Sequence, residues 1–325
     1  MTETTLIQPA LQHPNQSIGV DISKDKFDAF AFPIGARNCF SNDKSGFESF
    51  LKWLPQNGLE RIVFEPTGAY HHGFERYVGG TGLPLCKVNP YHSRAFARST
   101  GTRMKSDAVD AFLLGKMGAE RKLAPRPILS EDIDTMRELN VARAALVKEK
   151  TAVSNRKATA RHTIIKDQLA ARLKDIKVNI DAIDAEIARI IDADPDLKAR
   201  KKILMSIPSI GLVTANILII TMPELGHISN GQAASLVGVA PIQNQSGKHF
   251  GKAHIGGGRA HVRYALYMPA LVAIQHNPDL KAKFEQLTKT RSLPRKVALV
   301  AIMRKLLILA NTLLLKGRIW TKLRT

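Results

Sequence analysis

The sequence of 325 residues predicts an α/β region at its N-terminus, a long helical segment in its middle and a mainly helical C-terminal third. Short apolar runs alternate with helix-spaced runs over the first third, which favours strands and helices in layers. The middle segment lacks strand patterns, and the last third joins apolar helices by turns rich in Pro and Gly. The length suffices for two or three domains, and the predicted boundaries are 15–126, 127–195 and 196–325.

A two-stranded hairpin opens the α/β region. An apolar run beginning at Ser17 and the alternating run ending at Phe32 are separated by polar residues, a pattern typical of paired strands. Further elements are expected in chain order as a helix at 46–54, a strand at 61–64, a helix at 73–77, a strand at 85–90, a helix around Ala95 and a helix through Met117.

Four acidic residues mark a candidate site in this region. Asp107 and Asp110 are three residues apart on a predicted helix, so they lie on one face and are close enough to share one cation. Asp21 and Glu65 each end a predicted strand, from which they can point into the same crevice. The alternative for the helical pair is an ordinary solvated helix face.

The middle segment carries a heptad pattern. Seven apolar residues step by four and three along it: Leu169, Leu173, Ile176, Ile180, Ile183, Ile187 and Ile190. This predicts a coiled coil, antiparallel within the chain or formed between subunits, with the preceding helix as its partner and a turn near 160–163. Seven Lys and Arg against one acid at 143–166 indicate a face that contacts nucleic acid or is merely solvated.

Two turns in the last third are candidates for phosphate contact. The segment 203–220 has the pattern of a helix-hairpin-helix, in which backbone amides can meet a phosphate, but Ser209 stands where the first glycine is usual. A purely structural turn is the alternative. The segment 238–259 is rich in Gly and flanked by cations, so it predicts a loop able to approach a polyanion before a helix at 262–274. Ser246 lies in its middle, without a base or metal ligand at any informative spacing.

Charge and composition narrow the class of protein. The chain has a net charge of +20, and residues 197–325 hold 20 Lys and Arg against three acids, a net of +17. Such a block favours a phosphate backbone over an anionic membrane as partner. The two cysteines are too few for a disulfide framework, and the polar N-terminus lacks the pattern of a signal peptide, so we expect a cytoplasmic protein. The apolar stretch at 297–315 is interrupted by Arg304, which argues against a membrane span.

In combination these features resemble a known family. The chain is similar to the DEDD transposases of the insertion-sequence one-ten family, RNA-guided recombinases with an N-terminal RuvC-like domain of RNase H fold and a C-terminal transposase domain. The resemblance covers Ile18 to about Leu315. The motifs that carry it are GVDISK at 19–24, FEPTG at 64–68, NP at 89–90, KSDAVDA at 105–111, SIP at 206–208, GVAP at 238–241 and ALYMP at 265–269.

The resemblance implies roles for particular residues. Asp21, Glu65, Asp107 and Asp110 would be the metal-binding acids, for which Mg²⁺ is the expected ion, and Ser246 would be the nucleophile toward DNA. Cations expected to contact nucleic acid are Lys248, Lys252, Arg259 and Arg263. The Lys- and His-bearing segment after Ser246 and the Ser at 209 depart from the family pattern.

The resemblance also implies partners. It predicts donor and target DNA, a structured bridge RNA as guide, and a homo-oligomer, either a dimer or a tetramer, in a prokaryotic cytoplasm at the nucleoid.

Two other functions fit the residues taken alone. A metal-dependent endonuclease that resolves DNA junctions would use the same acids with water as nucleophile. A scaffold without catalytic activity would need only the basic block.

Overall fold

The structure is a computed structural model, and it describes residues 15–66, 68–101, 106–125, 130–247 and 249–321. The chain divides into two compact units, residues 1–129 and 130–325. The predicted middle segment therefore lies mainly in the same unit as the C-terminal third. A division into three domains remains a prediction.

The first unit is built on a five-stranded sheet. Its elements are β1 (Gln16–Ile22), β2 (Lys26–Phe32), β3 (Ala36–Ser41), α1 (Lys44–Trp53), β4 (Leu59–Phe64), α2 (His71–Gly79), β5 (Leu85–Lys87), α3 (Pro90–Ser99) and α4 (Asp107–Arg121). The strand order is β3-β2-β1-β4-β5, with β1, β2 and β3 antiparallel and with β4 and β5 parallel to β1. This mixed sheet with helices is consistent with the RNase H-like fold that the resemblance implies.

The two faces of the sheet bury different side chains, because strand residues alternate in direction. On one face, β1 and β2 pack with α1 and α2 around aromatic rings, and the ring centroids of Phe27 and Phe74 lie 5.1 Å apart. On the other face, Val63 of β4 packs with Leu114 and Met117 of α4. The alternation that predicted β2 is thus the pattern of its buried face, whereas the apolar run of β1 is buried on both faces.

Strand β3 was not predicted from the sequence. Phe40 is the one buried residue among its six, so the segment lacks the apolar alternation that marks a half-buried strand. It pairs with β2 along its whole length from Ala36 to Ser41 and forms the edge of the sheet.

The second unit is mainly helical. Its elements are α5 (Glu131–Thr159), α6 (Thr163–Ala193), α7 (Pro195–Met205), α8 (Leu212–Thr221), α9 (Asn230–Val237), β6 (Ile242–Ser246), β7 (His249–His254), α10 (Ala260–Ala265), α11 (Tyr267–His276), α12 (Pro278–Glu285), a π-helical turn (Gln286–Thr290) and α13 (Arg295–Leu315).

The helices α5 and α6 form an antiparallel hairpin along the predicted seam. Arg143 pairs with Asp184 at 2.6 Å and Arg172 pairs with Glu149 at 2.6 Å, so positions that advance along α5 retreat along α6. Val153, Ile176 and Ile180 form the buried cluster between them. The seam therefore has a partner within the chain. Coiled-coil geometry and contacts between subunits remain predictions.

Helix α13 forms part of the core of the second unit. By length and composition it is, among the described residues, the one helix that could cross a membrane, but half of its most apolar window is buried inside the protein. The buried side chain of Asn311 accepts a hydrogen bond from the Gly226 amide at 2.8 Å and donates to the Ile228 carbonyl at 2.9 Å. Burial inside the unit accounts for the apolar composition, as in the core helix of a globular domain.

The prediction of an irregular loop around Ser246 is wrong, because this segment forms a β-hairpin in the structure. Strands β6 and β7 pair antiparallel, and Ser246, the last residue of β6, stands opposite His249. All five side chains of β6 are exposed, so the segment has no buried face to produce an alternating pattern. The single helix predicted at 262–274 is divided in two, as α10 and α11, before Pro269.

The turn between α7 and α8 takes the conformation that a glycine would favour. Ser209 has a φ of 89°, in the left-handed region that side chains other than glycine rarely adopt. Its hydroxyl oxygen is buried and has no hydrogen-bond partner among the described residues. The backbone thus keeps the turn expected of the motif although the usual residue is missing.

Candidate active site

The end of β1 and the start of α4 meet because small residues let them approach. A Cβ atom added to Gly19 of β1 would lie 1.9 Å from the Ala111 carbonyl oxygen of α4. A Cβ atom added to Gly118 would lie 2.5 Å from a methyl carbon of Val63. Both distances are far below a van der Waals contact, so the helix can lie this close to the sheet only over glycine.

Asp21 lies on the α4 face of the sheet. It is two residues after Gly19 in β1, and alternation along a strand puts both residues on one face. Glu65 directly follows β4, the parallel neighbour of β1, so both acids lie at the same end of the sheet. The placement expected from the sequence is therefore the one observed for these two residues.

Asp107 and Asp110 lie in the first turn of α4. The Ser106 side chain caps this helix by accepting a hydrogen bond from the Val109 amide. Carboxylates are favoured at a helix N-terminus, where the unpaired amides carry partial positive charge. The N-terminus of α4 therefore carries two of the four acids of the expected site.

The charges of three of the acids act on the fourth, Asp21. Burial raises the pKa of Asp21 from 3.8 to about 6, followed in effect by the charges of Asp110, Asp107 and Glu65. A buried carboxyl beside other carboxylates is costly to ionise. This end of the sheet therefore concentrates negative charge around a half-buried aspartate.

Asp28 is a fifth acid at this site, and the sequence analysis missed it. It pairs directly with Asp21 across β1 and β2, and its charge also raises the pKa of Asp21. The signal that identifies it is the hairpin register, because residues directly opposite on paired strands share a face.

Lys26 supplies positive charge to this group. Its ammonium lies 3.3 Å from Asp28 Oδ2 and 3.3 Å from Asp107 Oδ2. These hydrogen bonds, first to Asp28 and then to Asp107, raise the pKa of Lys26. On the other side of the site, the Ser93 hydroxyl donates to Glu65 Oε2 at 2.5 Å.

The four acids do not form a closed ligand cluster in this conformation. In the described ranges, the group whose metal-ligating atoms all lie within 4.8 Å of one another is His71, His72 and Glu75 of α2, and it includes none of the four. Mutual repulsion keeps carboxylates apart unless a cation is between them. Their carboxylate oxygens are nevertheless the donors that a hard divalent cation prefers.

Ser246 lies in the second unit, whereas the four acids lie in the first. It is exposed at the end of β6, beside Gly247, which has a φ of 54° in the turn. Its role as nucleophile remains a prediction.

The four cations expected at nucleic acid have different surroundings. Lys248 lies outside the described residues, and Lys252 is exposed on β7. Arg259 holds the Glu224 carboxylate at 2.6 and 2.8 Å, and Arg263 donates to the Val237 and Gly257 carbonyls at 2.9 Å each. The two arginines thus anchor the segment between α9 and α10, and their contact with phosphate stays a prediction.

Comparison with known proteins agrees with this geometry. A family model described as a transposase, of the DEDD IS110 type, matches residues 18–160, and a model described as Transposase IS116/IS110/IS902 family matches residues 201–285. Pilin gene-inverting proteins from Moraxella lacunata and Moraxella bovis are each 28% identical to this chain over 318 residues, which cover 94% of the chain and 97% of each relative. The matched regions span both units, and the first contains all four predicted acids. The chain belongs to the IS110 family of transposases and is an enzyme of DNA recombination.

Proposed function

We propose that this transposase cuts and rejoins donor and target DNA under the guidance of a bridge RNA, with Ser246 as nucleophile and the four acids as a Mg²⁺ site. The observation that carries the proposal is the convergence of the acids, since Asp21 and Glu65 lie at the same end of two parallel strands and α4, which begins with Asp107 and Asp110, crosses β1 over Gly19. The charges of the other three acids disfavour the ionised form of Asp21, a cost that a bound cation would remove.

Divalent metal dependence follows from membership of the DEDD family, and Mg²⁺ is the specific proposal. Asp21, Glu65, Asp107 and Asp110 would hold it, since they offer the oxygen ligands that Mg²⁺ prefers. When bound, the ion would activate a DNA phosphate toward attack and stabilise the departing oxygen. The chain's own contribution is to place these carboxylates at one end of the sheet.

A serine nucleophile would conserve the energy of the broken phosphodiester bond in a covalent protein–DNA bond, so that strands can be rejoined without another energy source. Ser246 Oγ attacks a DNA phosphorus, a serine–phosphate bond forms, the bond to one deoxyribose oxygen breaks, and the serine proton leaves to a base or solvent. The hydroxyl of another strand reverses these steps and releases the serine. Exposure of Ser246 at the end of β6 supports this role, because the hydroxyl is accessible to a strand.

The name of the relatives supports rejoining over simple hydrolysis. Both Moraxella proteins are named for inverting a pilin gene, and an inversion leaves no broken ends. A site-specific exchange of this kind is what the present chain would carry out between donor and target DNA.

The partners follow from charge and from the family. Residues 197–325 carry a net +17, which suits DNA together with a structured RNA in a cytoplasmic, nucleoid-associated complex. Binding should weaken as salt rises, with a log–log slope of about −0.9 for each phosphate neutralised on duplex DNA. An affinity that does not change with salt would contradict this.

A covalent-adduct assay tests the proposal. The purified protein is incubated with its co-purifying RNA, labelled donor and target DNA, and Mg²⁺, and then separated under denaturing conditions. We expect a labelled protein–DNA adduct with the wild type and with Ser235→Ala, an exposed serine of α9, but none with Ser246→Ala.

Asp107→Asn should bind RNA yet lack both the adduct and the recombined product. Products without any adduct, formed equally by Ser246→Ala, would instead identify a hydrolase that uses water.

A further inference from the structure

The start of α2 carries a second group of metal-ligating side chains, separate from the four acids. His71, His72 and Glu75 offer two imidazole nitrogens and one carboxylate oxygen, and these three atoms all lie within 4.8 Å of one another. Glu75 is four residues after His71 and lies on the same face of the helix, and the adjacent His72 completes the group within one turn.

The group is built into the fold and does not lie loosely on the surface. His71 is 5% exposed, and its ring lies 6.2 Å from the ring of Phe64. The Glu75 side chain is 14% exposed, and its Oε2 lies 3.5 Å from His71 Nε2. His72 is exposed, and its ring centroid lies 4.3 Å from that of His71. His71 and Glu75 are therefore held in place by the fold, while His72 lies on the solvent side, from which an ion can enter.

The buried imidazole has an unfulfilled bonding capacity. His71 Nδ1 is buried without a hydrogen-bond partner of acceptable geometry among the described residues, and the backbone of Gly68 acts on the ring only weakly. The other ring nitrogen, Nε2, faces Glu75 Oε2 at 3.5 Å, so this nitrogen and the carboxylate can both turn toward one ion. Imidazole nitrogen is the commonest metal ligand among side chains.

We infer that His71, His72 and Glu75 form a binding site for a borderline transition-metal ion of the Zn²⁺ class. Two imidazoles and one carboxylate suit Zn²⁺ or Co²⁺ far better than Mg²⁺, which prefers oxygen ligands and keeps several waters. The site is therefore chemically distinct from the four acids. It lies at the start of the helix that follows Glu65, so a bound ion would fix the turn into which the Glu65 strand leads.

Lys87 competes with the ion for its carboxylate. The Lys87 ammonium lies 2.5 Å from Glu75 Oε2, the same oxygen that faces His71 Nε2. An ion that binds this oxygen must displace the ammonium and tolerate its charge nearby. The geometry thus makes an unusual prediction, that removal of a lysine tightens metal binding at this site.

Binding of Co²⁺ and Zn²⁺ to the full-length protein tests the inference. The protein is first stripped with a chelator, Co²⁺ binding is followed by its visible absorption, and Zn²⁺ affinity is measured by competition. The wild type should bind one Co²⁺ with a spectrum of nitrogen and oxygen ligation. His72→Ala and Glu75→Gln should each lower the Co²⁺ affinity at least about tenfold. Even residues that only hydrogen-bond to a metal ligand change metal affinity by about this factor, and loss of a ligand itself should cost more. Lys87→Met should raise affinity by about tenfold, the value of one charge-assisted hydrogen bond.

Two controls make the outcome decisive. His92→Ala removes another exposed histidine of the same unit and should leave affinity unchanged. Asp107→Asn should also leave it unchanged, which separates this site from the proposed Mg²⁺ site and lets either fail without the other. Because His72 is exposed, its variant should fold, and circular dichroism will verify this. Equal Co²⁺ affinity in the wild type and in folded His72→Ala, or unchanged affinity in Lys87→Met, would overturn the inference.

Discussion

Neutralising Asp21 should abolish recombination and yet stabilise the fold. The pKa of Asp21 is raised from 3.8 to about 6, a rise of about two units that corresponds to roughly 3 kcal/mol. The carboxyl remains partly open to solvent, and screening reduces that figure, so we expect Asp21→Asn to gain about 1–2 kcal/mol at pH 7. The residue acts against stability because burial and its acidic neighbours oppose its charge.

The sign of the pH dependence is fixed by the direction of the shift. Between about pH 4 and pH 6 the folded chain holds a proton on Asp21 that the unfolded chain has released, so wild-type stability falls as pH rises through this window. Below about pH 4 the carboxyl is protonated in both states, and the advantage of Asp21→Asn should vanish. Mg²⁺ should stabilise the wild type at pH 7, since it binds the folded state, and should stabilise Asp21→Asn much less.

Thermal and urea unfolding at pH 4 and pH 7, with and without Mg²⁺, measure these differences. Asp25→Asn is the matched control, because it makes the same change at an exposed position in the β1–β2 turn. Equal stability of wild type and Asp21→Asn at pH 7, or an advantage of the same size at both pH values, would refute the argument that burial and the neighbouring acids oppose the charge of Asp21.

Three further predictions concern the assembly and the second unit. Ser246→Ala and Asp21→Asn should each be inactive, while a mixture of the two should regain partial recombination activity, because we expect some assembled sites to receive Ser246 from one subunit and Asp21 from another. No activity in co-assembled mixtures would mean a site within one chain. Ile180→Asp with Ile183→Asp places charges on the predicted seam, and the loss of the buried Ile180 side chain alone, about 1.5–3 kcal/mol, should lower the unfolding midpoint. Light scattering measures whether the oligomer is also lost, and an unchanged mass would mean that the seam acts only within the chain. Ser209→Gly relieves a φ of 89° and removes a buried hydroxyl without a described partner, which should stabilise the fold by about 1 kcal/mol; an unchanged or lower midpoint would show that the turn is not strained.

The sequence by itself determined the elements whose burial follows a local period. Alternation in β2 and the four-three steps from Leu169 to Ile190 each encode one buried face, and the structure places that face where the period predicts. The spacing of Asp107 and Asp110 likewise put both on one helix turn. Periods of this kind are visible in a single sequence because neighbouring residues share the same environment.

Elements without a buried face left no such pattern. Strand β3 buries one side chain and β6 buries none, so their backbone pairing cannot be inferred from hydrophobicity. The backbone hydrogen bonds that define a strand are common to all residues, and only packing makes the choice of residues informative.

Only the tertiary structure decided which distant residues meet. Asp28 joins the acids because the hairpin register sets it opposite Asp21, and Lys26 reaches Asp107 because α4 crosses the sheet over Gly19. A one-residue slip in that register would turn Asp28 to the other face. The strand register and the close approach of α4 to β1 depend on packing along the whole sheet. The four acids could therefore be predicted from the sequence, whereas the residues around them were decided by the fold.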